Sequence, residues 1–409
     1  MKKGFTLVEL LAVITVFAII VVLILPRVAK HIDDSKEDLY KVQIDSIENA
    51  TKDYLLSEKG KADRNRAQEK TIYIELAKLQ EYDFLEKEKI KNPLDGEVMN
   101  GVIRVTYRNN TFDFEYLEMS VTEAEEHDFT VERYILDKAD IKTSASTEDG
   151  LYSSKINYPG DMDATGSAKN MYYYRGNNPN NYIQLLMAPG SSNAEMWNIV
   201  SIDTTNKVMK LVRTGKKSKT IWSERDDAAN ILLSEDSLKM YQYLNTTVFN
   251  SFSDSLKKNL KTPKWMLGEV DSTSSTLDLV MGDEALKQEV RGTAISLLSV
   301  SDYMNASLAS SCRTTSFDAQ CVATNWLTNL VVKDDSNIEV GYYLRNTVKG
   351  QQKVWSITSS GLTMANVTSS LYVYPVIYVP TTLVLDSSMN DTGVAPIGSV
   401  SNPYVLKMY

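Results

Sequence analysis

Glu9 stands in "GFTLVELLAVITVFAIIVVLILPR", residues 4–27, a run otherwise apolar enough for lipid. A carboxylate at membrane depth costs about 2.5 to 3.5 kcal/mol on insertion scales and needs a partner. No Lys, Arg or His lies between Phe5 and Leu25 to serve. A cut between Gly4 and Phe5 supplies one, because the new amino group of Phe5 is positively charged. In a helical assembly that amine of one subunit meets Glu9 of its neighbour. The run Phe5 to Leu25 is about 31 Å long as a helix, which matches a hydrocarbon core. Lys2 and Lys3 keep the short flank ahead of it in the cytoplasm and put the rest of the chain outside. A secretory signal would have a shorter apolar part and a small-residue cleavage site, which is missing before "PRVAKHIDDSKEDLYKV".

Tyr172, Tyr173, Tyr174, Arg175, Asn177, Asn178, Asn180, Asn181 and Tyr182 gather flat amphipathic rings and amides in one stretch. That chemistry suits sugar hydroxyls or protein surfaces. The plainer alternative makes alternate tyrosines core and the Asn/Pro run a turn. The only histidines, His31 and His127, fall outside residues 151–409, so no Ser-His-Asp, Cys-His or His-ligated zinc site can be assembled there. Asp161 and Asp163 in "GDMDATG" read as a solvated loop or a calcium site before they read as a glycosidase pair. "SLKK" (255–258) satisfies Ser-x-x-Lys without companion motifs and is set aside. We therefore expect no enzyme, no cofactor and no resident metal. A net charge of −9 gives no basic footprint, so no nucleic-acid partner is expected. Cys312 and Cys321, in "SSCRTTSFDAQCVAT", are too few for a disulfide scaffold and lack metal-ligand spacing. They read as one staple or as small core residues.

These residues need elements to position them. Tyr40, Ile44, Ile47, Ala50 and Tyr54 recur at steps of four, three, three and four, with Ile32 and Val28 extending the stripe backward, which predicts an amphipathic helix. Joined to the apolar run it makes one helix to about Leu56, about 78 Å if straight, with Pro26 able to kink it. "EKGKADRNRAQEK" (58–70) reads as a loop. "TIYIELAKLQ" begins as a strand and turns helical, and "NGVIRVTYRN" and "TFDFEYLEM" alternate about Asn109 and Asn110 as a hairpin. The first domain thus spans 5–119. Residues 120–150 read as a linker containing one strand, "TVERYIL". In 151–409, "MWNIVSI" and "KVMKLVR" form a hairpin about "DTTN", "DSLKMYQYLNTTVFNSFSDSLKKNLK" is helical, "AISLLSVSDYMNAS" runs from strand to helix, and "LYVYPVIYVP" is a late strand. The fold class is α+β with antiparallel sheets.

Lys-Lys-Gly followed by Phe-Thr-Leu-Val-Glu-Leu-Leu resembles the class III signal of type IV pilins and pseudopilins. The resemblance implies a leader of residues 1–4 with Gly4 at the cleavage site, Phe5 as the N-methylated residue and Glu9 as the assembly glutamate. Pro26 falls where that family carries a helix-bending proline. A prepilin peptidase, other pilin subunits and the membrane are the implied partners, and a long helix on a small antiparallel sheet is the implied fold.

Residues 151–409 resemble a domain of uncharacterised function that recurs in secreted and surface proteins of Gram-positive bacteria. The matching blocks are "YYYRGNNPNNYIQL", "MWNIV", "YLNTTVFNSF", "ISLLSVSDYMNASL", "CVATNWL", "YPVIYV" and "SNPYVL". The resemblance extends to C-type lectin-like and formylglycine-generating-enzyme-like folds and carries no established activity. The calcium-dependent sugar-binding signatures of lectins are absent. Together these features point to a minor pilin: single-pass in the cell membrane before assembly and extracellular afterwards, with 151–409 as a surface domain for adhesion to a glycan or protein. The alternatives are a pseudopilin of a DNA-uptake or type II-like secretion apparatus and a membrane-anchored surface enzyme.

Overall fold

The computed structural model describes residues 32, 34–69, 71–108, 111–143, 146–163, 165–188, 194–216, 218–225, 238–289, 292–314, 319–386 and 395–409. Gly4, Phe5, Glu9, the apolar run 5–25 and the Asn109–Asn110 turn lie outside them. Among the described residues no helix is long and apolar enough to cross a membrane. The chain divides into two compact units, Met1–Glu126 and His127–Tyr409.

In the first unit, residues 34–56 form helix α1. Ile47, Ala50, Tyr54 and Leu55 are buried, whereas Ile32, Leu39 and Val42 are exposed. The stripe expected from sequence therefore becomes a core face, with Tyr40 and Ile44 partly buried against the same core ahead of Ile47. Helix α2 (Lys61–Glu69) replaces the expected loop. Its Ala67 is buried, and its Asp63 accepts from the Tyr54 hydroxyl at 2.7 Å and pairs with Lys78. One small residue and one paired acid give this polar sequence a buried face, a pattern that apolar periodicity does not reveal.

Strand β1 (Ile72–Glu75), helix α3 (Leu76–Glu81), β2 (Val102–Arg108) and β3 (Thr111–Leu117) complete the first unit. The strands form an antiparallel sheet in the order β1-β2-β3. Ile72, Ile74, Ile103 and Val105 share one core with Ile47, Tyr54 and Leu55 of α1.

Residues 120–150 are not a bare linker. They contain α4 (Val121–Asp128) and α5 (Val131–Lys138), and α5 occupies most of the "TVERYIL" expected to be a strand. Val131, Tyr134 and Ile135 are spaced i, i+3, i+4 and join the core of the second unit. The Val131 and Glu132 N–H groups donate to the carbonyls of Leu383 and Thr381 at 3.0 and 3.3 Å.

The second unit is built on β4 (Gly150–Ile156), β5 (Lys169–Arg175), β6 (Tyr182–Leu186), β7 (Glu195–Asp203), β8 (Val208–Arg213), β9 (Lys219–Thr220), β10 (Val332–Lys333), β11 (Glu339–Val340), β12 (Tyr342–Thr347), β13 (Lys353–Thr358), β14 (Gly361–Asn366), β15 (Leu371–Tyr372), β16 (Val376–Pro380) and β17 (Tyr404–Lys407). One sheet runs β16-β8-β7-β5-β4, a second runs β14-β13-β12-β15-β9, and β10 and β11 pair by themselves. The β7–β8 hairpin follows the expected "MWNIVSI" and "KVMKLVR". "LYVYPVIYVP" splits about Pro375 into β15 and β16, which enter different sheets. Proline has no N–H with which to continue a ladder. The expected long helix is residues 239–251, with a π-helical turn at Tyr243–Val248, followed by Asp254–Asn259. Trp197, Trp222, Trp265, Trp326 and Trp355 are all buried. Cys312 and Cys321 are joined, with Cα atoms 5.6 Å apart.

Along β7, Ser201–Asp203 pair with β5, whereas Glu195–Asn198 pair with β6. β5 and β6 thus follow one another along a single edge of β7, and the chain between them, residues 176–181, leaves the sheet. At the same level β7 shifts register against β8 between Ile199 and Ser201, which makes Val200 a bulge.

Because α5 belongs to this core, a chain beginning at residue 151 should lose roughly 5 kcal/mol or more of burial relative to one beginning at residue 127. The longer chain should melt cooperatively, and the shorter should melt far lower or bind hydrophobic dye before heating. Equal melting temperatures would show α5 to be peripheral.

Candidate functional site

The 176–181 loop is tied down on both sides. Gly176 has φ +111, and a Cβ there would lie 2.0 Å from Oδ1 of Asp149, so only glycine fits. The Asp149 carboxylate accepts from the Asn177 and Asn178 N–H groups at 3.0 and 2.7 Å. The Trp326 indole donates to the Tyr174 carbonyl at 3.0 Å, and its backbone N–H donates to the Gly176 carbonyl at 2.6 Å. Asn329 donates through Nδ2 to the carbonyl of Asn177 at 2.8 Å.

Of the residues expected to form a binding ridge, the structure splits the set. Tyr173, Tyr174 and Arg175 are buried in β5 and Tyr172 is partly buried. Successive strand residues point to opposite faces, so both faces of β5 are covered here, with Tyr174 in the apolar core and Tyr173 on the opposite face. Arg175 donates through Nε to the Asn305 carbonyl at 3.1 Å and lies over the Tyr152 ring. Burial lowers its pKa to about 9. Asn177, Asn178, Asn181 and Tyr182, in contrast, come together on one depression of about 240 Å³. Its floor is an amide chain: Asn198 donates to Oδ1 of Asn181 at 2.9 Å, and Thr214 donates to Oδ1 of Asn198 at 2.6 Å. Pro179, Met196, Trp326 and Leu330 supply apolar wall. On the other side of the loop a depression of about 440 Å³ is bordered by Tyr134, Tyr174, Tyr404, Lys142, Asn178 and Asn180. Asn178 and Pro179 border both.

A second cluster was not evident from sequence. Asp161 is 6% exposed, and its Oδ2 lies 2.8 Å from Nη1 of Arg345 and 3.1 Å from Nζ of Lys210, and accepts from the Tyr378 hydroxyl at 3.0 Å. Its Oδ1 accepts from the Met266 N–H at 2.9 Å. Lys210 also lies 2.9 Å from both carboxylate oxygens of Asp302. Burial alone would raise the Asp161 pKa, but Arg345 and Lys210 outweigh it and hold the carboxyl below its usual range. Glu284, accepting from the Ser301 N–H and hydroxyl at 2.9 and 2.6 Å, is pushed up to about 7, chiefly by burial.

The solvated-loop or calcium reading of Asp161 is therefore corrected: a carboxylate occupied by two buried cations has no capacity left for a metal. Asp163 stands apart, accepting from Thr165 and pairing with Lys169 at 3.3 Å. The available signals were Lys210 between Met209 and Leu211, and Arg345 inside "YYLRN", charges set in apolar strands.

Residues 1–25 match the prokaryotic N-terminal methylation motif, so Gly4, Phe5 and Glu9 all fall within the matched run. That motif suggests a type IV pilin-like or pseudopilin-like precursor, and it implies processing by a prepilin peptidase and assembly with other pilin subunits. No curated protein and no solved structure matches the chain.

The raised pKa of Glu284 has a signed consequence. Its proton is bound more tightly in the folded state, so this contribution is full below the ordinary pKa of 4.5 and is lost as pH rises to about 7. The loss is on the order of 3 kcal/mol. Glu284→Gln still accepts from the Ser301 N–H and donates to its hydroxyl. Denaturant melts across that pH range should show the variant gaining stability relative to wild type by that amount. Parallel pH profiles would show Glu284 ionised throughout.

Proposed function

We propose that the chain is a minor subunit of a type IV filament whose second unit is an adhesive, non-enzymatic head. The observation carrying this reading is the methylation motif on residues 1–25 in a chain whose second unit, His127–Tyr409, is much larger than the first and carries the 176–181 loop with its two depressions. The precursor is held in the membrane by residues 5–25. After the cut, the methylated amine of Phe5 meets Glu9 of a neighbouring subunit, which neutralises the carboxylate inside the assembly. Geometry favours the tip. A compact body of residues 127–409 has a radius of gyration of about 19 Å and a diameter on the order of 50 Å. Along the shaft that bulk competes with neighbouring copies, whereas at the tip nothing lies ahead of it.

Co-expression with a prepilin peptidase should yield a chain lacking Met1 to Gly4 and carrying one added methyl group, read by mass spectrometry; a cut elsewhere would leave a plain signal anchor. Glu9→Ala should insert in the membrane, since it removes a buried charge, but should drop out of sheared filament fractions. Normal incorporation would remove the role assigned to Glu9.

Immunogold raised against the second unit should mark filament ends. Uniform labelling along the shaft would sink the tip assignment.

A further inference from the structure

We propose that the smaller depression, between Tyr182 and Asn329, binds one ring of an uncharged sugar; this rests on the reading of the second unit as a binding head. The chain is 24% Asp, Glu, Lys and Arg, yet none of the described residues bordering this depression carries a charge. A charged ligand would be desolvated there without a counter-ion, so the ligand is neutral. Among the described residues, the Asn178 side-chain amide and the Tyr182 hydroxyl have no protein partner, although both border the depression. They provide donors and acceptors beside a half-buried aromatic ring, the combination that a sugar's hydroxyl edge and C–H face require.

The floor is fixed before any ligand arrives. The amides of Asn181 and Asn198 are held by each other, by Thr214 and by the Ile199 carbonyl. A floor already held in place avoids an ordering cost on binding. Size limits the occupant, because about 240 Å³ lies below the roughly 300 Å³ at which drug-sized pockets begin. An extended peptide is disfavoured. β6, the strand beside the depression, is paired with β7 on one side and β17 on the other, so it offers no open edge for augmentation. Among the described residues of the lining, the acidic and basic side chains that would anchor a peptide's termini or charged residues are missing as well.

The test uses the full-length chain in a detergent without a sugar head group, on an array of neutral hexosides and N-acetylhexosaminides, with sialylated and sulfated glycans and unrelated peptides as controls. Binding should fall on the neutral glycans and persist at high salt. Asn178→Ala and Tyr182→Ala should each weaken it about tenfold or more, whereas Lys258→Ala, which borders neither depression, should leave it unchanged. Tyr182→Phe should retain part of the affinity through its ring. Binding only to charged glycans or to peptides overturns the proposal, as does neutral-glycan binding indifferent to Asn178 and Tyr182. No binding to any glycan also overturns it. If filaments then still adhere to cells and Tyr182→Ala abolishes adhesion, the binding head survives and only the sugar assignment fails. Absence of adhesion as well removes both.

Discussion

Asp161 is the carboxylate on which the second unit turns. Its four bonds reach Arg345 on β12 of one sheet, Lys210 on β8 and Tyr378 on β16 of the other, and the backbone of Met266. Lys210 then carries the connection to Asp302 in the Val300–Asn305 helix. Asp302 is held by the cap it forms with Ser299, so the ion cluster and the start of that helix are one arrangement. Buried pairs of this kind add little over apolar packing, but removing a single partner leaves a charge stranded at a cost of about 3 to 5 kcal/mol. The two sheets and the helix are therefore bound to one relative placement, because any other leaves charges unpaired.

β5 links this constraint to the surface. Tyr173 borders the cavity of about 60 Å³ beside the ion cluster, and Gly176, three residues on, begins the loop. The loop exists because β7 changes partners from β5 to β6, and a change of partner costs ladder hydrogen bonds. Asn181 replaces them: its carbonyl accepts from the Ile199 N–H at 2.8 Å, and its side chain donates to the Ile199 carbonyl at 2.9 Å. Buried backbone groups must be satisfied, and an asparagine amide substitutes for a missing strand. This separates the asparagines by role. Asn181 and Asn198 maintain the break in the sheet, and Asn178 is left open at its rim.

Elements whose signal is local and apolar were legible. The α1 stripe, the β2–β3 hairpin and the β7–β8 hairpin each follow from a period of 3.6 or 2 over enough residues. Three features were not. α2 hides its buried face behind an alanine and an ion-paired aspartate. The α5 residues Val131, Tyr134 and Ile135 carry a helical spacing that seven residues of "TVERYIL" are too few to distinguish from alternation. The Asp161 cluster joins residues 161, 210, 302 and 345, which only tertiary structure brings together. For the same reason the Tyr/Asn stretch was identified as a unit but not divided: cover on both faces of β5 buries Tyr174 in the apolar core and Tyr173 beside the ion cluster, whereas the break in the sheet brings Asn177, Asn178 and Tyr182 together.

Charge explains why such a site would be neutral. A chain of net charge −9 is repelled at long range by anionic cell surfaces, and at physiological ionic strength that field fades within about 8 Å. Electrostatic steering therefore offers it no advantage, and contact must be made by groups that act only at short range. Amide hydrogen bonds and stacking on tyrosine have that property and are insensitive to salt. On the tip reading proposed above, a single head lacks the avidity of many copies, so its footprint would have to supply the hold alone. The larger depression shares Asn178 and Pro179 with the smaller. A longer ligand crossing the loop would engage both at once, and its second contact would then be intramolecular.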